Sequence, residues 1–188
     1  MLDQFRDKFP LSKDKWDEYM RYYTRIEVPA HTILLNEGDV SKNAFIIEKG
    51  CLRLWFNNNG KDITFQFFFE NEAVSSAESF NKSIPSLFTI ETIEPCILYR
   101  IHKNDMEKIL KELNEHPDTK EYLLSIAFER QFHYMKHFLS FIRDTPTQRY
   151  INLIKEKPQI IQRIPQHYIA SYLGITPVSL SRIRSKLK

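Results

Sequence analysis

IPQHYIASYLGITPVSLSRIRSKL, residues 164–187, decides the architecture, because its special residues stand where two crossing helices need them. Gly174 closes the first helix, at a position that requires a left-handed backbone. Thr176 caps a second helix, and Pro177 takes its first turn, where a missing N–H costs nothing. Ile169, Leu173, Ile175, Leu180 and Ile183 are the apolar residues that pack the pair together. Ala170 must be small because the second helix crosses close to it. An alanine, a glycine four residues later, and hydrophobes six and nine beyond the glycine form the spacing of a helix-turn-helix. A plain helical hairpin shows part of the same pattern, so spacing alone leaves both readings open.

Charge bears on the choice. Residues 141–188 hold nine Lys/Arg against Asp144 and Glu156, a net +7, whereas residues 1–140 carry a net −4. No acidic residue follows Glu156. A basic segment on an acidic body suits a polyanion, since each phosphate neutralised releases counterions. A solvated basic surface would carry the same charge, but charge and motif together favour DNA. The second helix is expected to present Val178, Ser179, Ser181 and Arg182 outward, with Gln166 and Thr176 beside them. Arg184, Lys186 and Lys188 are the phosphate-contacting candidates.

Upstream the pattern changes twice. Residues 12–24 read as a short helix capped by Ser12, with Trp16, Tyr19, Met20 and Tyr23 at helical spacing. From about 26 to 102 the period is two. Ile63, Phe65, Phe67 and Phe69 alternate with Thr64, Gln66, Phe68 and Glu70, and Leu52, Leu54 and Phe56 with Cys51, Arg53 and Trp55. Turns at Glu37-Gly38-Asp39, Lys49-Gly50 and Asn58-Asn59-Gly60-Lys61 separate short strands, which predicts an antiparallel, jelly-roll-like β-roll. Residues 103–156 are helical. Within them Leu124, Phe128, Gln131, Met135, Phe138 and Ile142 repeat at spacings 4, 3, 4, 3, 4, the seam of a two-helix contact. Such a stripe serves either packing inside one domain or pairing with a second copy. Pro146 and Pro158 punctuate the next helical stretch.

The composition excludes several classes. Hydrophobic residues make up 42% of the chain, enough for a folded core. No run of about 18 apolar residues offers a membrane span, and MLDQFRDKFP lacks the apolar stretch of a signal peptide. Cys51 and Cys96 are far apart and fit a reducing compartment, so a cytoplasmic location is expected.

Roll, long helix and helix-turn-helix, in this order and over nearly the whole chain, resemble the Crp/Fnr family of bacterial transcription regulators. The resemblance rests on ILLNEGDVSKNAFIIEKGCLRLWF (33–56), FTIETIEPCILYRI (88–101) and IASYLGITPVSLSRIR (169–184). It implies an α+β chain with a cyclic-nucleotide-binding-like roll, a long helix that pairs two subunits, and a second motif helix that enters the major groove. Arg182 matches the family's base-reading arginine, which can bond guanine O6 and N7 bidentately. The family's Arg-Glu pair is Pro177-Val178 here, so its usual DNA preference does not carry over. A homodimer on an inverted-repeat operator is implied, with RNA polymerase and a small-molecule effector as further partners.

Members that bind cyclic nucleotides hold the phosphate with a Gly-Glu segment and, about ten residues on, an arginine. Within AVSSAESFNKSIPSLFTIE (73–91), Ser75-Ser76 fall at the first positions and Ser86 at the arginine. Without that arginine the anion loses its principal charge-assisted bond, and an inward Glu78 would repel it. The roll is therefore not expected to bind cAMP or cGMP. Any effector pocket is placed near Ser75, Ser76, Glu78, Ser86 and Leu87. The chain ends at Lys188, level with the end of the recognition helix, so the β-hairpin wing is expected to be missing, and any wing strand must lie upstream, around Ile160–Ile164.

No cofactor or metal is expected. An iron–sulfur cluster needs four cysteines, and no histidine stands in a haem-attachment motif. A cupin-like metalloenzyme would need a His-x-His pair in the roll, which has His31 and, at its exit, His102. His133 and His137 are four residues apart without the intervening acid of HExxH, and are read as a partly exposed helix face. The chain is thus read as a regulator rather than an enzyme. Another reading is an effector-binding roll acting through protein partners with a degenerate DNA domain. The expected organisation is a sensor domain at 1–115, a dimerisation helix at 116–142 and a DNA-binding domain at 143–188.

Overall fold

Ser12 opens the first helix as the sequence predicts. The computed structural model of the chain describes Arg6 and residues 11–187, and Lys188, a predicted phosphate contact, lies outside them. The Ser12 hydroxyl accepts the Lys15 N–H at 3.3 Å, and helix α1 runs over Lys13–Met20. It is shorter than expected, because the chain leaves the helix at Arg21 to enter β1 (Thr24–Val28). Then come β2 (Ile33–Leu35), β3 (Asn43–Lys49), β4 (Leu52–Asn58), β5 (Lys61–Phe68), β6 (Ala73–Val74), α2 (Ala77–Lys82), β7 (Thr89–Thr92) and β8 (Cys96–His102). The helical half comprises α3 (Lys103–Asn114), α4 (Pro117–Arg143), α5 (Pro146–Glu156), α6 (Pro158–Arg163), α7 (Gln166–Tyr172) and α8 (Pro177–Lys186).

The strands form two four-stranded sheets, ordered β1-β8-β3-β6 and β2-β7-β4-β5. In the first, β8 lies antiparallel between β1 and β3, pairing Ile26 with Leu98 and Ile47 with Leu98 on its two sides. The lysine-glycine turn before β4 depends on Gly50. Its φ is +105°, and a side chain there would collide with Cys96 Sγ and sit 2.9 Å from the Pro95 carbonyl oxygen. Cys51 and Cys96 are both buried thiols.

The chain separates into two units. The first comprises residues 1–54 and 68–127, the second 55–67 and 128–188. In the first, Tyr19, Ala44, Phe80, Ile101, Ile109 and Leu113 form a buried cluster joining α1, α2 and α3 to the sheet. Strand alternation does not separate core from solvent throughout. Arg53 is 2% exposed and pairs with buried Glu91, its Nε and Nη2 donating to Oε2 at 2.9 and 2.8 Å. All four residues of β7 are buried, as a central strand covered on both faces requires.

The second unit contains the tip of the β4–β5 hairpin together with α5 to α8 and most of α4. Thr145 caps α5 by accepting the Gln148 N–H at 3.2 Å, and Pro146 and Pro158 each open a helix. Among the described residues no strand follows β8. Where any upstream wing strand would have to lie, the chain forms helix α6, whose Ile160 and the following Ile164 are buried apolar anchors.

Candidate nucleic-acid interface and effector cassette

The helix-turn-helix forms as its local signals dictate. Ile169, Ala170, Leu173 and Leu180 are at most 3% exposed and Ile183 is buried, while Ile175 is only half-buried. Gly174 has φ +66°, and its N–H donates to the Ser171 carbonyl while that of Ile175 reaches back to Ala170. A Cβ at Gly174 would lie 2.8 Å from the Phe141 ring, so conformation and space both select glycine. Thr176 Oγ1 accepts the Ser179 N–H at 3.1 Å, and Pro177 occupies the first turn of α8.

Two residues without a local signal brace this turn. Arg149, on α5, donates to the Leu173 carbonyl from Nε (3.2 Å) and Nη2 (2.9 Å) and to the Asp144 carbonyl from Nη1 (2.9 Å). Its guanidinium also lies 4.7 Å from the centroid of Phe141. The end of α7 is thereby closed by a cation, which the carbonyl end of a helix favours. Ser171 clasps the β-hairpin: its hydroxyl accepts the Thr64 N–H and donates to the Asp62 carbonyl, both at 2.9 Å. Tyr172 packs on Phe67 at 5.3 Å and stacks on His137 at 4.7 Å. His133 and His137 are half-buried, on a partly exposed helix face as expected. Burial, then His133, Lys157 and Arg149, push the His137 pKa down to about 4. Among the described residues no three His, Cys, Asp or Glu come together as metal ligands.

Of the predicted DNA-facing residues, Gln166, Thr176, Val178, Ser181, Arg182 and Lys186 are exposed. Arg184 is half-buried, and Ser179 is half-buried and tied to the cap, its hydroxyl 2.9 Å from that of Thr176. The outward face of α8 therefore comprises Pro177, Val178, Ser181, Arg182 and Ser185, with no acidic residue on the helix.

The predicted seam of α4 lies open along its length. Leu124, Phe128, Gln131, Met135, Phe138 and Ile142 are all exposed, Phe138 and Ile142 by 65% and 69%. Phe132 and Leu139, beside them, are exposed as well and lie outside the predicted set. A single soluble chain rarely shows so long an apolar stripe without a partner for it.

The cassette of the roll is divided. Ser76 and Ser86 are buried and their hydroxyls meet at 2.8 Å, with Ser86 Oγ 2.6 Å from the Phe88 carbonyl and accepting the Phe88 N–H at 3.0 Å. Ser75 is half-buried, while Glu78 and Leu87 face outward, Glu78 paired with Lys82 at 2.9 Å. Glu78 is therefore not the inward repulsive charge that the sequence allowed for. A cavity of about 520 Å³ adjoins this segment, lined by residues including Asn36, Asp39, Lys42 and Phe45; the Asp39 carbonyl accepts the Ser86 N–H at 2.9 Å.

Residues 25–113 match the family model of the cyclic nucleotide-binding domain. No curated protein matches the sequence significantly. Among solved structures, the chain is similar to the c-di-GMP-responsive global regulator CLP of Xanthomonas campestris, at 16% identity and TM-score 0.72, over 94% of this chain and 91% of that one. It is similar to FixK2 of Bradyrhizobium japonicum at 16% identity and TM-score 0.74, over 88% and 84%. The catabolite activator protein of Thermus thermophilus matches at 16% identity and TM-score 0.58, over 95% and 84%. No helix among the described residues is long and apolar enough to cross a membrane. The chain thus matches the cyclic nucleotide-binding domain model over residues 25–113 and, along nearly its whole length, shares the fold of these solved structures.

Proposed function

We propose that this protein is a sequence-specific DNA-binding transcription regulator that acts as a homodimer and does not respond to cAMP or cGMP. The observation that carries the reading is the acid-free outward face of α8, with Arg182 exposed at its centre. Arg182 would read a guanine in the major groove, and Lys186 and Arg184 would hold phosphates. The open stripe of α4, 27 residues and so about 40 Å long, supports pairing with a second copy. Pairing would set the two recognition helices about 34 Å apart, on successive grooves of an inverted repeat.

The cassette supports the negative half of the proposal. A cyclic phosphate would have to break the Ser76–Ser86 pair, and a serine stands at the position matched to the family's arginine. The buried Arg53 of the first unit is already committed to Glu91. In the organisation proposed, residues 1–115 sense, 116–142 dimerise and 143–188 bind DNA. Strands β4 and β5 and helix α4 each run from one unit into the other. A signal in the roll would act by shifting the population of DNA-competent dimers through them.

Selection of duplexes from a random pool by the full chain, without added ligand, tests the reading. Recovery of an inverted repeat, bound less tightly as salt rises, is the expected result. Recovery of nothing by folded protein overturns it in favour of a roll that works through protein partners.

A further inference from the structure

We propose that Val178 is a specificity-determining residue that reads the C5 methyl group of a thymine in each operator half-site. The inference rests on the DNA-binding reading above and concerns what the first turn of α8 can recognise. Val178 is 61% exposed at the second position of that helix. Its neighbours in sequence are an exposed proline and a half-buried serine. Pro177 has no N–H, the Ser179 N–H is spent on Thr176, and the Ser179 hydroxyl is held against the Thr176 hydroxyl. The Val178 side chain thus offers neither the acceptor that a cytosine amino group needs nor the donor–acceptor pair that an adenine edge needs.

Thymine alone among the four bases presents an apolar group in the major groove, its C5 methyl. A valine matches it well. Branching at Cβ holds the side chain of a helical valine in one rotamer, so its methyls are fixed before binding and little entropy is lost. Val178 and Arg182 are one helical turn apart on the same exposed face, about 6 Å along the axis. At 3.4 Å per base step, that places the thymine about two base pairs from the guanine of Arg182.

The test uses the selected operator and the full chain. Each thymine is replaced in turn by deoxyuridine, which keeps every hydrogen-bonding group and removes only the methyl. One symmetry-related thymine per half-site should be sensitive. Substituting both should weaken binding roughly fifteen-fold, since one buried methyl is worth about four-fold. Val178→Ala should bind both operators equally, and its unchanged melting temperature would show that the fold is intact. Placing 5-methylcytosine at the same position should recover affinity relative to cytosine for the natural chain only. A selected operator with no sensitive thymine, or a uracil penalty that persists in Val178→Ala, overturns the inference and leaves the DNA-binding reading standing. Failure to select any duplex overturns both.

Discussion

In the roll, the Ser76 and Ser86 hydroxyls meet at 2.8 Å and satisfy one another, while in the helix-turn-helix Arg182 extends into solvent from a helix without an acid. Both segments keep the backbone that their fold prescribes. The cassette keeps a short helix between β6 and β7, but its Ser76 and Ser86 turn inward to their own loop. The helix-turn-helix keeps its buried frame and leaves Arg182 and Lys186 outward. A polar group already hydrogen-bonded within the protein has little to offer a ligand, whereas an exposed cation on a rigid helix has nearly all of its binding potential left. Retention of a fold is therefore a poor guide to retention of a ligand; the state of the side chains that face the ligand is the better one.

The largest effect that would sharpen this contrast belongs to the frame. Gly174→Ala forces a side chain into a left-handed conformation against Phe141 and should cost about 1–3 kcal/mol, read as a lowered melting temperature with loss of operator binding. Arg182→Ala should leave the melting temperature unchanged and cost roughly 1–3 kcal/mol of operator affinity, with relaxed preference at one base position. Equal weakening on every sequence would make Arg182 a phosphate contact and break the comparison at its DNA end. Ser171→Ala removes both hydrogen bonds to the hairpin and should destabilise by about 1 kcal/mol, with faster amide exchange at Thr64.

A smaller, graded effect concerns pH. Burial holds His137 neutral in the folded chain, with its pKa near 4 against about 6.5 when unfolded. The unfolded chain binds the extra proton first as pH falls, so this histidine's contribution is complete above about 6.5 and is lost progressively down to about 4. Melting temperatures measured between pH 7 and pH 4.5 should decline, and His137→Phe, which can still stack on Tyr172, should flatten part of that decline. An equal slope in the variant would place the acid sensitivity elsewhere.

The range over which each constraint acts decides how legible it is in the sequence. The motif turn is readable because Gly174, Thr176 and Pro177 act within four residues of one another. The α4 stripe is readable from period alone. Arg149 is not, since it caps a carbonyl 24 residues away, and nothing near it marks that role. Nor is Arg53, whose place in an alternating strand says nothing of a carboxylate 38 residues on. The joining of residues 55–67 to the C-terminal helices is equally hidden, because a clasp such as Ser171 to Thr64 depends on tertiary proximity. The helix at Pro158–Arg163 is legible, because Pro158 stands at its first turn. The cassette residues are found by resemblance, but only coordinates reveal that two of the serines satisfy each other while Glu78 and Leu87 point away.

The most direct test of a closed cassette beside an open recognition helix titrates a selected operator with the ligand-free chain by fluorescence anisotropy, then repeats the titration with millimolar cAMP and with cGMP. Saturable, salt-sensitive binding whose midpoint neither nucleotide moves is the predicted result. A tenfold shift with either nucleotide would contradict the closed cassette. Binding that ignores sequence would contradict the recognition helix.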